Sequence, residues 1–199
     1  MKDELLWWDM VRAGDENSFK KLFERYHSTL FNYGYKFTKD EDIIEDSVQE
    51  IFVIIWCKRD NIGPTGSVKN YLLKSFRRLL VRAIQRDNRI FSLGNYGDST
   101  LPFEIELPHD ISMMKKEREN EIRQQLDLAL SKMTARQREI IHLKYFEELS
   151  YEEISDVMGL SSRDTYKLYY RAIDSLRKYM GASNLIALLV VLNYLRSSS

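Results

Sequence analysis

An all-α fold, two small helical domains joined by a flexible acidic linker with a helix-turn-helix in the C-terminal one, is what this 199-residue sequence predicts. Three observations carry the expectation. Apolar residues recur every three or four positions over most of the chain, while strand-type alternation is almost absent. All three prolines fall between the periodic stretches and none inside them. The periodicity fails over one long span, SLGNYGDSTLPFEIELPHDIS at 92–112, and about 20 residues without a period read as a linker rather than a packed element. The expected divisions are a first domain at 1–91, the linker at 92–112, a second domain at 113–180 and an apolar tail at 181–199.

In the first domain the helical pattern runs from Asp15 to about Arg89 and is broken by the loop Gly63-Pro64-Thr65-Gly66. Phe19, Leu22, Phe23, Tyr26, Leu30, Tyr33 and Phe37 form one apolar stripe, and Ile44, Val48, Ile51, Phe52, Ile55 and Trp56 form the next. That second helix turns Glu45, Asp46, Gln49 and Glu50 away from the core. After the loop, a helix beginning near Ser67 places Leu72, Phe76, Leu79, Leu80 and Ala83 on one side and Lys74, Arg77, Arg78 and Arg82 on the other. Clustered cations repel one another unless something anionic meets them, and nucleic-acid phosphates are the usual counterpart.

The linker carries four acids, Asp98, Glu104, Glu106 and Asp110, and no lysine or arginine, whereas the stretch from Ser67 to Arg89 carries seven basic residues and one acid. In the second domain three helix starts carry a hydroxyl with a side-chain acceptor three residues on: Thr134 with Gln137, Ser150 with Glu153, and Ser161 with Asp164. A tight turn at Gly159 separates the last two helices. In the final helix Thr165, Leu168, Tyr169, Ala172 and Leu176 share one side, opposite Arg163, Lys167, Tyr170, Arg171 and Lys178. Caps, turn and basic face together describe a helix-turn-helix reader of duplex DNA, in which the apolar stripe docks on the scaffold and the cations reach phosphates and base edges.

Composition excludes several classes. Thirty basic residues balance thirty acidic ones, so the distribution of charge rather than its sum points to a polyanion. Cys57 is alone, which rules out an internal disulfide and suits a reducing cytoplasm. His27, His109 and His142 have no ligand spacing, so no metal is expected. No glycine-rich phosphate loop or nucleophile motif is present, so neither an enzyme, nor a cofactor, nor a small-molecule substrate is expected. The charged start at Lys2, Asp3 and Glu4 argues against a signal peptide. The tail run Asn184 to Leu195 falls well short of the about 20 apolar residues that span a bilayer, so the chain is not expected to be an integral membrane protein.

EDSVQEIF at Glu45 to Phe52, Trp56, SVKNYLLKSFRRLL from Ser67 and the helix-turn-helix, in that order, resemble regions two and four of a bacterial extracytoplasmic-function RNA polymerase sigma factor. The resemblance implies a non-enzymatic initiation factor with core RNA polymerase, promoter DNA and an anti-sigma factor as partners. It implies that Asp46, Gln49 and Glu50 dock on core polymerase. It further implies that the loop Lys58 to Gly66, with Asn61, Ser67, Lys69, Asn70 and Tyr71, captures an unpaired base of the downstream promoter element. Lys74, Arg77, Arg78 and Arg82 then grip the melting strand. Ser161, Ser162, Arg163, Tyr166, Lys167, Tyr170 and Arg171 read the upstream element as duplex. The resemblance also implies that the acidic linker threads the polymerase channel that later holds RNA. The apolar run Asn184 to Leu195 is itself expected to form a helix that packs on the chain's own domains or meets a partner, and so to hold the protein inactive or bind an anti-sigma factor. The chain departs from the family pattern at Ile43, often acidic, at Arg78, often asparagine, and at Thr165, often aliphatic.

Two other readings compete. A helix-turn-helix regulator that binds an operator without acting as a sigma factor accounts for the second domain but leaves the first unexplained. A membrane-tethered interaction protein using the tail predicts fractionation with membranes.

Overall fold

The computed structural model describes residues 2–91, 101–105 and 116–197, with side chains described at 3–87, 101–105 and 124–179. Eight α-helices and no strand are found among the described residues: α1 (Lys2–Arg12), α2 (Glu16–Gly34), α3 (Glu41–Cys57), α4 (Val68–Phe91), α5 (Lys116–Lys132), α6 (Ala135–Tyr145), α7 (Tyr151–Met158) and α8 (Ser162–Ser197). One 3-10 turn, Arg59–Asn61, follows α3. They fall into two compact units, the first carrying α1–α4 and the second carrying α5, α6, α8 and most of α7; the division comes between Pro102 and Phe103.

In the first unit α2 and α3 start where Asp15 and Asp40 cap them, each carboxylate accepting the amide three residues on, from Ser18 at 2.8 Å and Ile43 at 3.1 Å. The Ser18 hydrogen bonds hold the Asp15 carboxyl below its ordinary range, so the cap stays anionic at the positive end of the helix. Aromatic side chains fill the core: Trp8, Tyr33 and Phe76 are almost fully buried among Leu22, Leu30, Ile44, Val48 and Ile55. Gly34 permits the close approach of three helices, since a Cβ there would lie 2.8 Å from Ile44 Cγ2 and 3.0 Å from Phe76 Cζ.

Helix α4 differs from the expected wheel. Its buried stripe is Val68, Leu72, Leu73, Phe76, Arg77, Leu80, Val81 and Ile84, while Leu79 and Ala83 are half-exposed. The reason is that α1, α2 and α3 all pack against α4, so a wider arc is covered than one neighbour would cover. Arg77, expected on the cationic face, is 5% exposed and lies with its guanidinium 5.9 Å from the Phe37 ring centroid.

In the second unit α5 and α6 pack on α8. The capping boxes at Thr134/Gln137 and Ser150/Glu153 both form in full. Ser161 accepts the Asp164 amide at 3.1 Å and donates its own hydroxyl to the Asp164 carboxylate at 2.7 Å, a tighter local loop than the box. Gly159 closes α7 in the left-handed region, φ 62° and ψ 39°, where its amide and that of Leu160 satisfy the Ser155 carbonyl. Thr165 is fully buried, and its hydroxyl donates to the Ser161 carbonyl at 3.0 Å, which lets a threonine stand in an apolar contact.

The expected linker is not free along its whole length. Residues 92–100 and 106–112 lie outside the described residues, but Phe103 is 1% exposed, its ring 5.6 Å from that of His142, and Arg138 donates through Nε to its carbonyl. The same guanidinium holds the carbonyls of Leu130 and Met133, each at 2.9 Å. The expected tail does not begin as a separate element, because α8 continues without a break to Ser197. The packing expected of its apolar side chains lies outside the described residues.

Candidate nucleic-acid interface

The α7–turn–α8 unit presents one continuous exposed surface. Ser161, Ser162, Arg163, Tyr166, Lys167, Tyr170 and Arg171 are all exposed, while Thr165, Ala172, Ile173 and Leu176 are buried beneath them. Arg163, Lys167 and Arg171 follow one another at four-residue spacing, a strip of cations along the helix. Lys167 comes within 3.8 Å of Asp164, an exposed pairing that a phosphate displaces at little cost. Ser161 hydrogen bonding keeps the Asp164 carboxyl below its ordinary range.

A tyrosine cluster lines the same surface, and the sequence reading named only part of it. Tyr151 of α7 lies 4.5 Å from Tyr166 and 5.2 Å from Tyr169, ring centroid to centroid, and Tyr169 shares a 2.8 Å hydroxyl contact with Tyr145. Burial pushes the Tyr151 phenol up and the Tyr169 phenol up to about 12, so neither acquires a charge that would oppose a phosphate. Exposed Tyr166 and Tyr170 thus offer apolar ring faces and hydroxyls between the cations.

The second basic surface is the outer side of α4. Arg78 and Arg82 are exposed and Lys74 is half-exposed. Arg86, counted in the sequence but not named as a site residue, is exposed at the next four-residue step. Arg77 is the one member of the expected set that the fold removes from this strip. The residues at the start of the helix are Ser67, Lys69, Asn70 and Tyr71, all half-exposed; Asn61, at the end of the 3-10 turn, is exposed. Ser67 caps α4 by accepting the Asn70 amide at 3.2 Å. The Asn70 Oδ1 is buried and has no hydrogen-bond partner, an unmet acceptor of the kind that a base-edge donor satisfies.

The 58–66 loop is shaped by residues that sequence reasoning missed. Trp8 Nε1 donates to the Gly63 carbonyl at 3.2 Å and Arg12 Nε to the Ile62 carbonyl at 2.7 Å. Arg59 lies 4.8 Å over the Trp56 ring and donates to the Trp56 carbonyl at 2.7 Å. Trp8 and Arg12 are four apart, which places them on one helix face, but nothing in the sequence identifies a partner fifty or more residues away.

On α3, Asp46, Gln49 and Glu50 are exposed as expected, and Val53, 58% exposed, continues their face by one turn. Gln49 donates to Glu45 at 3.2 Å, and Glu45 meets His27 at 3.0 Å. The Gln49 hydrogen bond is the main reason the Glu45 carboxyl lies below its ordinary range. Among the described residues no group of three or more histidine, cysteine, aspartate or glutamate side chains is placed to hold a metal ion. No helix among them is long and apolar enough to cross a membrane.

Two family models match the chain, Sigma-70 region 2 over residues 22–90 and Sigma-70 region 4 over residues 123–176. Among curated relatives, the chain is 23% identical over 169 residues to the ECF RNA polymerase sigma factor SigX of Bacillus subtilis, covering 83% of this chain and 84% of that one. It is 23% identical over 178 residues to SigW of the same organism, covering 85% and 92%. Among solved structures, CnrH in complex with the cytosolic domain of CnrY superposes with a TM-score of 0.57 at 20% identity, covering 88% of this chain and 95% of that one. The likeness to CnrH is one of fold.

Proposed function

Since the chain belongs to the extracytoplasmic-function family of bacterial RNA polymerase sigma factors, we propose a division of labour between its two units. It binds core RNA polymerase, directs it to specific promoters and assists melting. The observation that carries the division is the pair of cationic strips at four-residue spacing, Lys74/Arg78/Arg82 on α4 and Arg163/Lys167/Arg171 on α8. The α8 strip has the architecture of a helix lying in a major groove, with Tyr166, Tyr170 and the Ser161–Ser162 hydroxyls facing the upstream element. The α4 strip follows the loop and the unmet Asn70 acceptor, an arrangement for gripping a strand while one unpaired base is read. Buried Arg77 takes no part in the grip and supports the helix from within.

Asp46, Gln49 and Glu50, with Val53 beside them, form the docking face for core polymerase. Acidic residues around a small apolar centre suit a basic partner helix. The acidic residues between 92 and 112 occupy the channel that later holds RNA. An anti-sigma factor restrains the chain, a reading supported by the fold it shares with CnrH, whose structure is a complex with the cytosolic domain of CnrY. The chain acts in the cytoplasm and does no catalysis of its own.

The test is reconstitution. Purified protein added to core polymerase produces a run-off transcript from the chain's own upstream region. Neither transcript nor core binding would end the sigma reading. Palindromic duplex binding without polymerase would favour the operator-binding alternative. Combined Lys74→Ala, Arg78→Ala and Arg82→Ala slows opening while leaving core binding in place.

A further inference from the structure

Helix α1 precedes both matched regions, yet it places two side-chain donors on consecutive carbonyls of the 58–66 loop, Arg12 on Ile62 and Trp8 on Gly63. Both are long-range contacts that cross from one end of the first unit's sequence to its middle. Trp8 is 1% exposed, and its ring lies 4.8 Å from that of Tyr71 at the start of α4, so one side chain touches both walls of the base-capturing region. Burial pushes the Tyr71 phenol up, so that wall is uncharged. Arg12 is oriented by Asp9 at 2.9 Å, and its bond to Ile62 is charge-assisted.

The far end of the loop is closed independently. The Thr65 hydroxyl donates to the Ser67 carbonyl at 3.1 Å and accepts the Ser67 amide at 3.2 Å, and Ser67 then caps α4. At the fastenings themselves, Gly63 and Gly66 face open space, with nothing within 4 Å of a Cβ at either. The loop is therefore held at both ends and left open on the side of its two glycines. A free loop would have to be ordered as the base enters, at the expense of affinity, and a loop already held avoids that loss.

We infer that α1 is the positioning element of the base-capturing loop, with Arg12 and Trp8 as positioning residues that set the loop for an unpaired base before DNA arrives. The inference rests on the proposed reading of 58–66 as that loop. Neither residue needs to touch DNA.

Arg12 is the residue to test, because its side chain is 33% exposed and its loss leaves the core intact, whereas Trp8 is buried. Full-length Arg12→Ala and Arg12→Lys are bound to core polymerase and titrated with a fluorescent single strand spanning the downstream element of the promoter mapped by run-off transcription. Both variants should weaken that binding about tenfold, the scale of one charge-assisted hydrogen bond, with affinity for core polymerase unchanged. Arg12→Lys keeps the charge and loses the planar Nε–H donor, so full rescue by lysine would assign the effect to charge and overturn the inference. So would unchanged single-strand binding, or a parallel loss of core binding. Asn61→Ala and Asn70→Ala in the same titration separate the two levels. If they leave binding intact, the loop reading itself fails; if they weaken it while Arg12→Ala does not, only the role of α1 fails.

Discussion

Helices α4 and α8 present the same device, cations at four-residue spacing on an exposed side, but they are held in place by opposite means. Around α8 the determinants are local: Ser150 and Ser161 cap within three residues, Gly159 makes the turn, and Thr165 bonds one turn back. Around α4 they are remote: Trp8 and Arg12 reach the loop across fifty-five and fifty residues, and α1, α2 and α3 together cover the helix. The difference teaches where each site is vulnerable. The start of α8 and its turn are set by neighbours in sequence, although α5 and α6 pack on the helix behind them, whereas the loop leading into α4 is set by residues from the far end of the first unit.

The largest expected effect breaks the remote arrangement. Phe76→Ala removes a fully buried ring from the contact of α4 with Tyr33, and such truncations cost about 3–5 kcal/mol. Trp7, Trp8 and Trp56, the only tryptophans, all lie in the first unit, so the urea midpoint followed by tryptophan fluorescence should fall steeply. Loss of single-strand binding should accompany it. Gly34→Ala comes next, since its Cβ meets Ile44 at 2.8 Å and overpacking costs about 1–3 kcal/mol. The same fluorescence reads it, and an unchanged midpoint would show that α2 and α3 can part without consequence.

Gly159→Ala addresses the local arrangement. Nothing lies within 4 Å of a Cβ there, so the cost is that of left-handed backbone alone, about 1–2 kcal/mol. Upstream duplex binding and thermal unfolding followed by circular dichroism should weaken, and Gly159→Asn should lose less, because asparagine tolerates that backbone. The smallest effect concerns single cations. Arg163→Ala, Lys167→Ala and Arg171→Ala should each lower the slope of log affinity against log salt by about one, with stability nearly unchanged. A slope that does not move at one position would show that its side chain does not meet a phosphate.

The same contrast explains what could be read from the sequence. The α8 face, its caps and its glycine were legible because each rests on residues three or four apart, and every residue named on that face is exposed. On α4 the direction of the apolar stripe was legible but its breadth was not. Breadth depends on how many helices surround it, and so Arg77 was placed outside when the fold buries it, and Leu79 and Ala83 inside when they are half-exposed. Helix α1 was not foreseen as a support, since Trp8 and Arg12 find carbonyls that carry no mark of their role in the sequence. Phe103 was read as part of a tether because the stretch around it has no helical period, whereas a docked side chain needs none.

The Arg138 guanidinium joins two tasks of unequal permanence. Its two bonds to the Leu130 and Met133 carbonyls finish α5, and its Nε bond takes in Phe103. Detaching Phe103 exposes its ring and breaks its bond to Arg138, while the end of α5 keeps its own two. Residues 103–105 are thus fastened like a latch on a wall, and if they detach in a local fluctuation that leaves the helices below folded, amide exchange around 103–105 should run ahead of exchange in α6.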